Sequence, residues 1–237
     1  MIALLRYQAA ILLRSYRWIF PMICYAFLVS AGFEGQTPLA QGLDWSAAML
    51  VPVVALLTRS ILTAEPDAAR AVVAAAGGPA RAHLAAVATA TTAGALLGLA
   101  GAIFEVLTSL PVARHPAGGV AAKATATLAH PGVLAAGLAV ALVCLLVGSA
   151  AGTLCNPPLI RHPGVALVAT LCLAVLGLAL GASPAAAALR YRGGAEAAVP
   201  HWPGAMPLIT SACLAAAAWT AAAMAAARRD SRAASGG

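Results

Sequence analysis

Apolar positions along this chain run in blocks rather than in stripes. Six blocks, at about 18–33, 46–63, 84–107, 132–154, 164–183 and 208–227, approach the roughly 20 residues that cross a bilayer at about 1.5 Å rise per residue. They predict an all-α integral membrane protein, a six-transmembrane-helix bundle forming a single membrane domain. The first block is short and has Pro21 near its start, and the second carries Arg59 about one turn from its end. Either span is expected to be tilted or locally broken.

Residues 1–15 have a different pattern. Arg6, Arg14 and Arg17 fall within an arc of about 80° at 100° per residue, and Leu4, Leu5, Ile11 and Leu12 lie on the other side. Tyr7, Tyr16 and Trp18 stand where aromatic anchors belong. The segment reads as an amphipathic helix in the membrane interface; the plainer alternative is a helical extension of the first span. Val29-Ser30-Ala31 after an apolar run imitates a signal-peptide cleavage site. Against this stand a long, aromatic-rich leader and five further spans.

The segment 64–80 is the most sharply punctuated. Pro66 suits a first helical turn, Glu65 and Asp67 place negative charge at the positive end of the helix dipole, and Gly77-Gly78-Pro79 stops the helix. About 11 residues remain, or roughly 16 Å of helix. Ala69, Val72, Val73 and Ala76 follow i, i+3, i+4, i+7 and form an apolar stripe, with Glu65, Asp67 and Arg70 on or beside the polar side. Such a stripe must be covered. It docks either a soluble partner or the chain's own bundle and lipid.

Composition agrees with the blocks: 62% of the 237 residues are hydrophobic and 9% are charged, too few charges to cover a soluble surface. The net charge of +7 is therefore read by position rather than as a nucleic-acid signal. With the N-terminus inside, the inner segments hold Arg6, Arg14, Arg17, Arg59, Arg70, Arg81, Arg161, Arg228, Arg229 and Arg232. The outer loops hold Arg114, Lys123, Arg190 and Arg192. That asymmetry predicts both termini inside. The Ala/Gly/Arg bias with a single Lys points to a GC-rich bacterial source, hence the bacterial cell membrane.

Much catalytic chemistry is missing. Lys123 follows Ala122, so a Gly-x-x-x-x-Gly-Lys phosphate loop is impossible. Cys24, Cys144, Cys155, Cys172 and Cys213 form no Cys-x-x-Cys pair and suit packing. The His spacing supports no metal site, and there is no Gly-x-Ser-x-Gly elbow. Glu105 is the single acid placed inside a block, near its outer end; it is either an interfacial, water-exposed carboxylate or part of an outer gate. Glycine pairs at 94/98, 148/152 and 177/181 suit close helix packing or a dimer face.

The layout resembles the permease subunit of type-2 ABC exporters, in a small form common in actinobacteria. The resemblance is carried by Leu4-Leu-Arg-Tyr-Gln-Ala-Ala-Ile-Leu-Leu-Arg14 as interface helix, by the six-span, both-ends-inside topology, and by Glu65-Pro-Asp-Ala-Ala-Arg70 through Gly77-Gly78-Pro79 at the position of the coupling helix. Cys155-Asn-Pro-Pro-Leu-Ile-Arg-His-Pro163 stands as the short inner turn, and 184–207 as an extracellular element. The long connection 108–131 departs from the family, which often keeps that loop short. The resemblance implies that Glu65, Asp67, Arg70, Val72, Val73, Gly77 and Gly78 dock a separate ABC ATPase subunit. ATP and magnesium would be held by that partner, with no cofactor on this chain and no enzymatic activity of its own. It also implies a second permease subunit, identical or not, and outward transport of a hydrophobic or amphipathic substrate. Two alternatives stay open: a stand-alone ion-coupled carrier, which would need intramembrane charge and paired repeats, and a non-transporting immunity or assembly protein.

Overall fold

The computed structural model describes residues 2–32, 37–108, 131–157, 159–160, 162–193 and 202–235. Their regular structure is helical: α1 (Ile2–Ser15), α2 (Ile19–Ala31), α3 (Leu39–Leu62), α4 (Asp67–Gly77), α5 (Pro79–Thr108), α6 (Pro131–Leu154), α7 (Pro163–Ala179), α8 (Pro184–Gly193) and α9 (Ala205–Ser235). Arg114, Lys123 and the rest of the departing loop, Arg161, and residues 194–201 lie outside the described residues, as do the side chains of Asp67, Arg192 and Arg232.

Five stretches are long and apolar enough to cross a membrane: α3, α5, α6, the run Pro163–Arg190 that joins α7 to α8, and Ala205–Arg229 of α9. The expected first span differs. At 13 residues, α2 is only about 20 Å long, short of a roughly 30 Å hydrocarbon core. Together α1 and α2 are long enough, but they meet at 75°. Tyr16 makes the corner with φ +54, a left-handed conformation uncommon for a residue with a side chain. Among the described residues there is a sixth span only if this bent pair counts as one.

The second span also differs from its expected limits. α3 starts at Leu39 rather than near residue 46, after Pro38 in an extended conformation. Gln41, Gly42 and Asp44 interrupt the apolar run and read as loop. Yet Leu39, Gly42, Leu43 and Ser46 lie at i, i+3, i+4, i+7 and are all buried, so the helix is set by one buried face and not by mean hydropathy.

The centre of the bundle is the α3–α6 pair. Val51, Val54 and Ala55 of α3 and Val140, Val143 and Cys144 of α6 are fully buried in one core. Two glycines let the backbones touch. A Cβ on Gly148 would lie 2.6 Å from the Val51 carbonyl oxygen, and one on Gly152 would lie 2.7 Å from that of Ala55. On α5, Gly94 faces Val54 and Leu145, and Gly98 faces Leu50. These two small-residue pairs are thus spent inside the chain. Without a hydrophobic driving force in lipid, such close packing is what holds helices together.

The outer helices complete the picture. Two thirds of the most apolar window of α6 is buried (67%), against 17% for the α7–α8 run. Val165, Val168, Val175 and Leu180 there are exposed, as are Phe20 and Phe27 of α2 and Leu96 and Ile103 of α5. An apolar surface of this extent is a liability in water and the expected one in a bilayer. α8 does not stand apart from the bundle: Ala185 and Ala188 are fully buried in the main core.

Candidate functional site

Four tertiary contacts bring the basic segments to one end of the bundle. Tyr7 and Gln8 of α1 meet Glu65, Arg59 of α3 meets the α6–α7 turn, and Arg70 of α4 shares a cavity with Arg229 of α9. The N-terminal helix, α4 and the end of α9 therefore lie on the same side.

At this end α4 is delimited by backbone chemistry. Pro66 is extended (ψ 147) and caps the helix, and its carbonyl accepts from the Arg70 N–H at 2.9 Å. At the other end Gly78 has φ +83, a conformation open to glycine at little cost. A Cβ there would meet nothing within 4 Å, so the demand for glycine is purely conformational. Pro79 then begins α5.

Glu65 and Arg70 face inward. Glu65 is 8% exposed and accepts hydrogen bonds from Tyr7 Oη at 2.9 Å and Gln8 Nε2 at 3.4 Å. Donating to this carboxylate, more than burial, raises the Tyr7 phenol above its ordinary pKa. The Arg70 guanidinium donates to the Leu62 carbonyl at 2.7 Å and the Glu65 carbonyl at 3.3 Å, satisfying acceptors left over at the end of α3. Arg17 does the same at the Thr63 carbonyl, at 2.6 Å, while Arg6 and Arg14 stay exposed on α1.

The apolar stripe read along α4 is not covered as a unit. Val72 is 68% exposed and Ala76 is exposed, whereas Ala69 and Val73 are half-buried. The face turned to the bundle runs through Arg70 and Ala74, the latter 8% exposed, and Gly77 approaches Leu4 of α1. Tethers at both ends of α4, together with Arg70, set its rotation, so one of its two valines, Val72, points outward.

A second polar tie was not singled out by the sequence. Arg59 donates to Asn156 Oδ1 and to the Pro163 carbonyl, both at 2.8 Å. Asn156, fully buried, donates from Nδ2 to the Gly152 carbonyl at 2.6 Å and to Thr170 at 3.2 Å. This brace joins the ends of α3 and α6 to the start of α7. Arg59 late in an apolar block and Asn156 before two prolines were the available signals, but only the fold pairs them.

At the opposite end, Glu105 is 3% exposed, which corrects the expectation of a water-exposed carboxylate. It sits one turn beyond Gly101, whose missing Cβ makes room for the Tyr25 hydroxyl, and within electrostatic range of that phenol. Asp44 is a second acid within a long apolar helix, missed because the early turns of α3 read as loop. Among the described residues no group of three His, Cys, Asp or Glu side chains could hold a metal ion, and the five cysteines are free thiols. Compared with known proteins, the chain matches no family model, no curated protein and no solved structure.

Proposed function

We propose that this chain is the membrane-spanning permease subunit of an ABC exporter. Its transport cycle would be driven by a separate ATPase, and it would work with a second permease subunit in a bacterial cell membrane. The observation that carries the proposal is α4: a short helix fastened on its inner side to α1, α3 and α5, with Val72 turned outward at the Arg-rich end. A soluble motor needs such a lever, apolar enough to grip and tied tightly enough to pass a push into the spans. On this reading Val72 and its alanine neighbours touch the ATPase, while Glu65 and Arg70 transmit the movement. The Arg-rich end faces the cytoplasm, α1 lies in the interface, and a hydrophobic or amphipathic substrate leaves outward.

The test is affinity purification of the tagged chain from its native membrane, with ATPase activity measured on the eluate. A co-purifying P-loop ATPase that is lost from a Val72→Asp variant supports the proposal. A well-folded preparation with no ATPase partner sinks it.

One observation favours a second reading. Buried Glu105, with Asp44 in a neighbouring helix, supplies the intramembrane acids that an ion-coupled carrier requires. Proteoliposome transport that follows a proton or sodium gradient without nucleotide, and stops in Glu105→Gln, would select it.

A further inference from the structure

The two sides of α1 meet different surroundings. Gln8 and Leu12 are buried, Gln8 against Glu65 and Leu12 in a cluster with Leu57 and Ile61 of α3 and Val87 and Ala90 of α5. Leu4, Leu5 and Ile11 beside them are half-buried. The apolar side of the helix is thus turned to the protein. Leu57 and Ala90 stand about 8 Å and about 16 Å inside the ends of their helices. The C-terminal half of α1 therefore lies along the flank of the bundle and not beneath it.

The outward side is mixed. Arg6, Ala10 and Arg14 are exposed and stand at i, i+4, i+8, one ridge along the helix. Ile2 and Leu13, 70% and 63% exposed, lie within about 40° of Arg6 at 100° per residue. The chain does not answer the charge of this ridge. Residues 1–33 hold no acid, and in the segments of the basic end ten arginines stand against three acids, Glu65, Asp67 and Asp230. Pairing every one of those acids would still leave this end positive. Glu65 is in any case engaged on the inner side of α1, by Tyr7 and Gln8. Among the described residues Arg6 and Arg14 make no hydrogen bond or ion pair, unlike Arg17 and Arg59.

Bare guanidinium groups and bare aliphatic side chains on one face suit neither water nor hydrocarbon. They suit the boundary where phosphates meet acyl chains. The neighbouring helix marks that boundary. Phe20, Ile23 and Phe27 of α2 are exposed at i, i+3, i+7, the face acyl chains would cover, and α1 leaves the N-terminal end of that stripe at 75°. It runs across the chains at their head-group end. We infer that the outward ridge of α1 binds anionic phospholipid head groups, with Arg6 and Arg14 on the phosphates and Ile2 and Leu13 among the first methylenes. Guanidinium–phosphate contacts are charge-assisted and strong, and the long Arg stems let the heads stay at the phosphates while the helix sits lower. The inference does not depend on the export reading, since it needs only a chain that lies in a bilayer.

The experiment places the purified full chain in phosphatidylcholine nanodiscs, titrates in phosphatidylglycerol, and counts retained lipid by native mass spectrometry. Other arginines at this end attract some anionic lipid, so the decisive quantity is the change between wild type and variants. Arg6→Gln and Arg14→Gln should each lower the preference for phosphatidylglycerol roughly fivefold, and the double variant should lose both contributions. Ala10→Glu keeps both arginines and sets a carboxylate one turn from each, where it pairs with them on the helix surface. It should lower the preference as far as the double variant does, whereas Ala10→Gln should leave it at the wild-type level. Because Ala10 is exposed, this pair of variants decides the matter even if the loss of two arginines impairs folding. A preference for phosphatidylglycerol that is unchanged in Ala10→Glu, or in a folded double variant, overturns the inference.

Discussion

The α3–α6 seam and the basic end hold the same bundle together by opposite means. In the seam, Gly148 and Gly152 remove side chains so that backbones meet the Val51 and Ala55 carbonyls. At the basic end, side chains reach over gaps: Arg59 to the α6–α7 turn, Arg70 and Arg17 to the end of α3, Tyr7 to Glu65. The seam has no slack, because a dry close-packed contact has no partner to exchange. Hydrogen bonds at an end that reaches water can be traded for water, so on the proposed reading that end moves while the seam stays fixed. A lever belongs at such an end.

Mutations should separate the two regions. The largest loss is expected from Gly148→Leu, which sets a side chain against the α3 backbone and should cost about 3 kcal/mol in a reversible detergent-unfolding titration. Gly177→Ala is its control. Its Cβ meets a side-chain atom of Val147 at 3.2 Å, which can give way, and the cost should stay under about 1 kcal/mol. A Gly148→Leu protein as stable as wild type would mean that the seam is not the fixed part.

Next comes Arg59→Ala, which removes two hydrogen bonds and leaves a buried Asn156 with one partner fewer. About 2 kcal/mol is expected, together with faster protease cleavage in the α6–α7 turn while α4 is unaffected. Equal cleavage in mutant and wild type would contradict the brace.

A smaller effect, about 1 kcal/mol or less, is expected from Glu65→Gln. It weakens the acceptor that raises the Tyr7 phenol above 10.0. A raised folded-state pKa means the folded chain holds this proton more tightly than the unfolded one. The contribution is therefore complete below pH 10 and is lost as pH rises through the folded-state value. Ultraviolet titration of the tyrosines should show one phenol moving down in Glu65→Gln; no movement would mean Tyr7 does not donate to Glu65.

Val72→Asp should leave stability within about 0.5 kcal/mol of wild type, because the side chain it replaces is exposed. Substantial unfolding would show that the outward face of α4 is covered by the chain itself, the reverse of the comparison drawn here.

α4 illustrates how far the sequence reaches. Its limits were legible because Pro66 and Gly77-Gly78-Pro79 act on their own backbone and need no distant partner. Its orientation was not. Glu65 is held by Tyr7 and Gln8, 58 and 57 residues away, and that tether overrides the stripe of Ala69, Val72, Val73 and Ala76. Glu105 repeats the lesson: its position near a helix end was readable, but its burial depends on Tyr25 and on glycines one and two turns back on α5.

What the sequence alone determined is the class of molecule: helical, apolar beyond what water tolerates, and basic in the segments that gather at one end. Those properties are sums over local composition, and burial or partner choice cannot change them. Only the tertiary structure decided that the chain turns sharply at Tyr16, just ahead of the first apolar block, that α3 reaches back to Leu39, that the glycine pairs on α5 and α6 close an internal seam, and that Gln8, His83, Arg70 and Arg229 surround one cavity. Each of these follows from contacts between residues far apart in the chain, where packing and hydrogen bonding outweigh local preference.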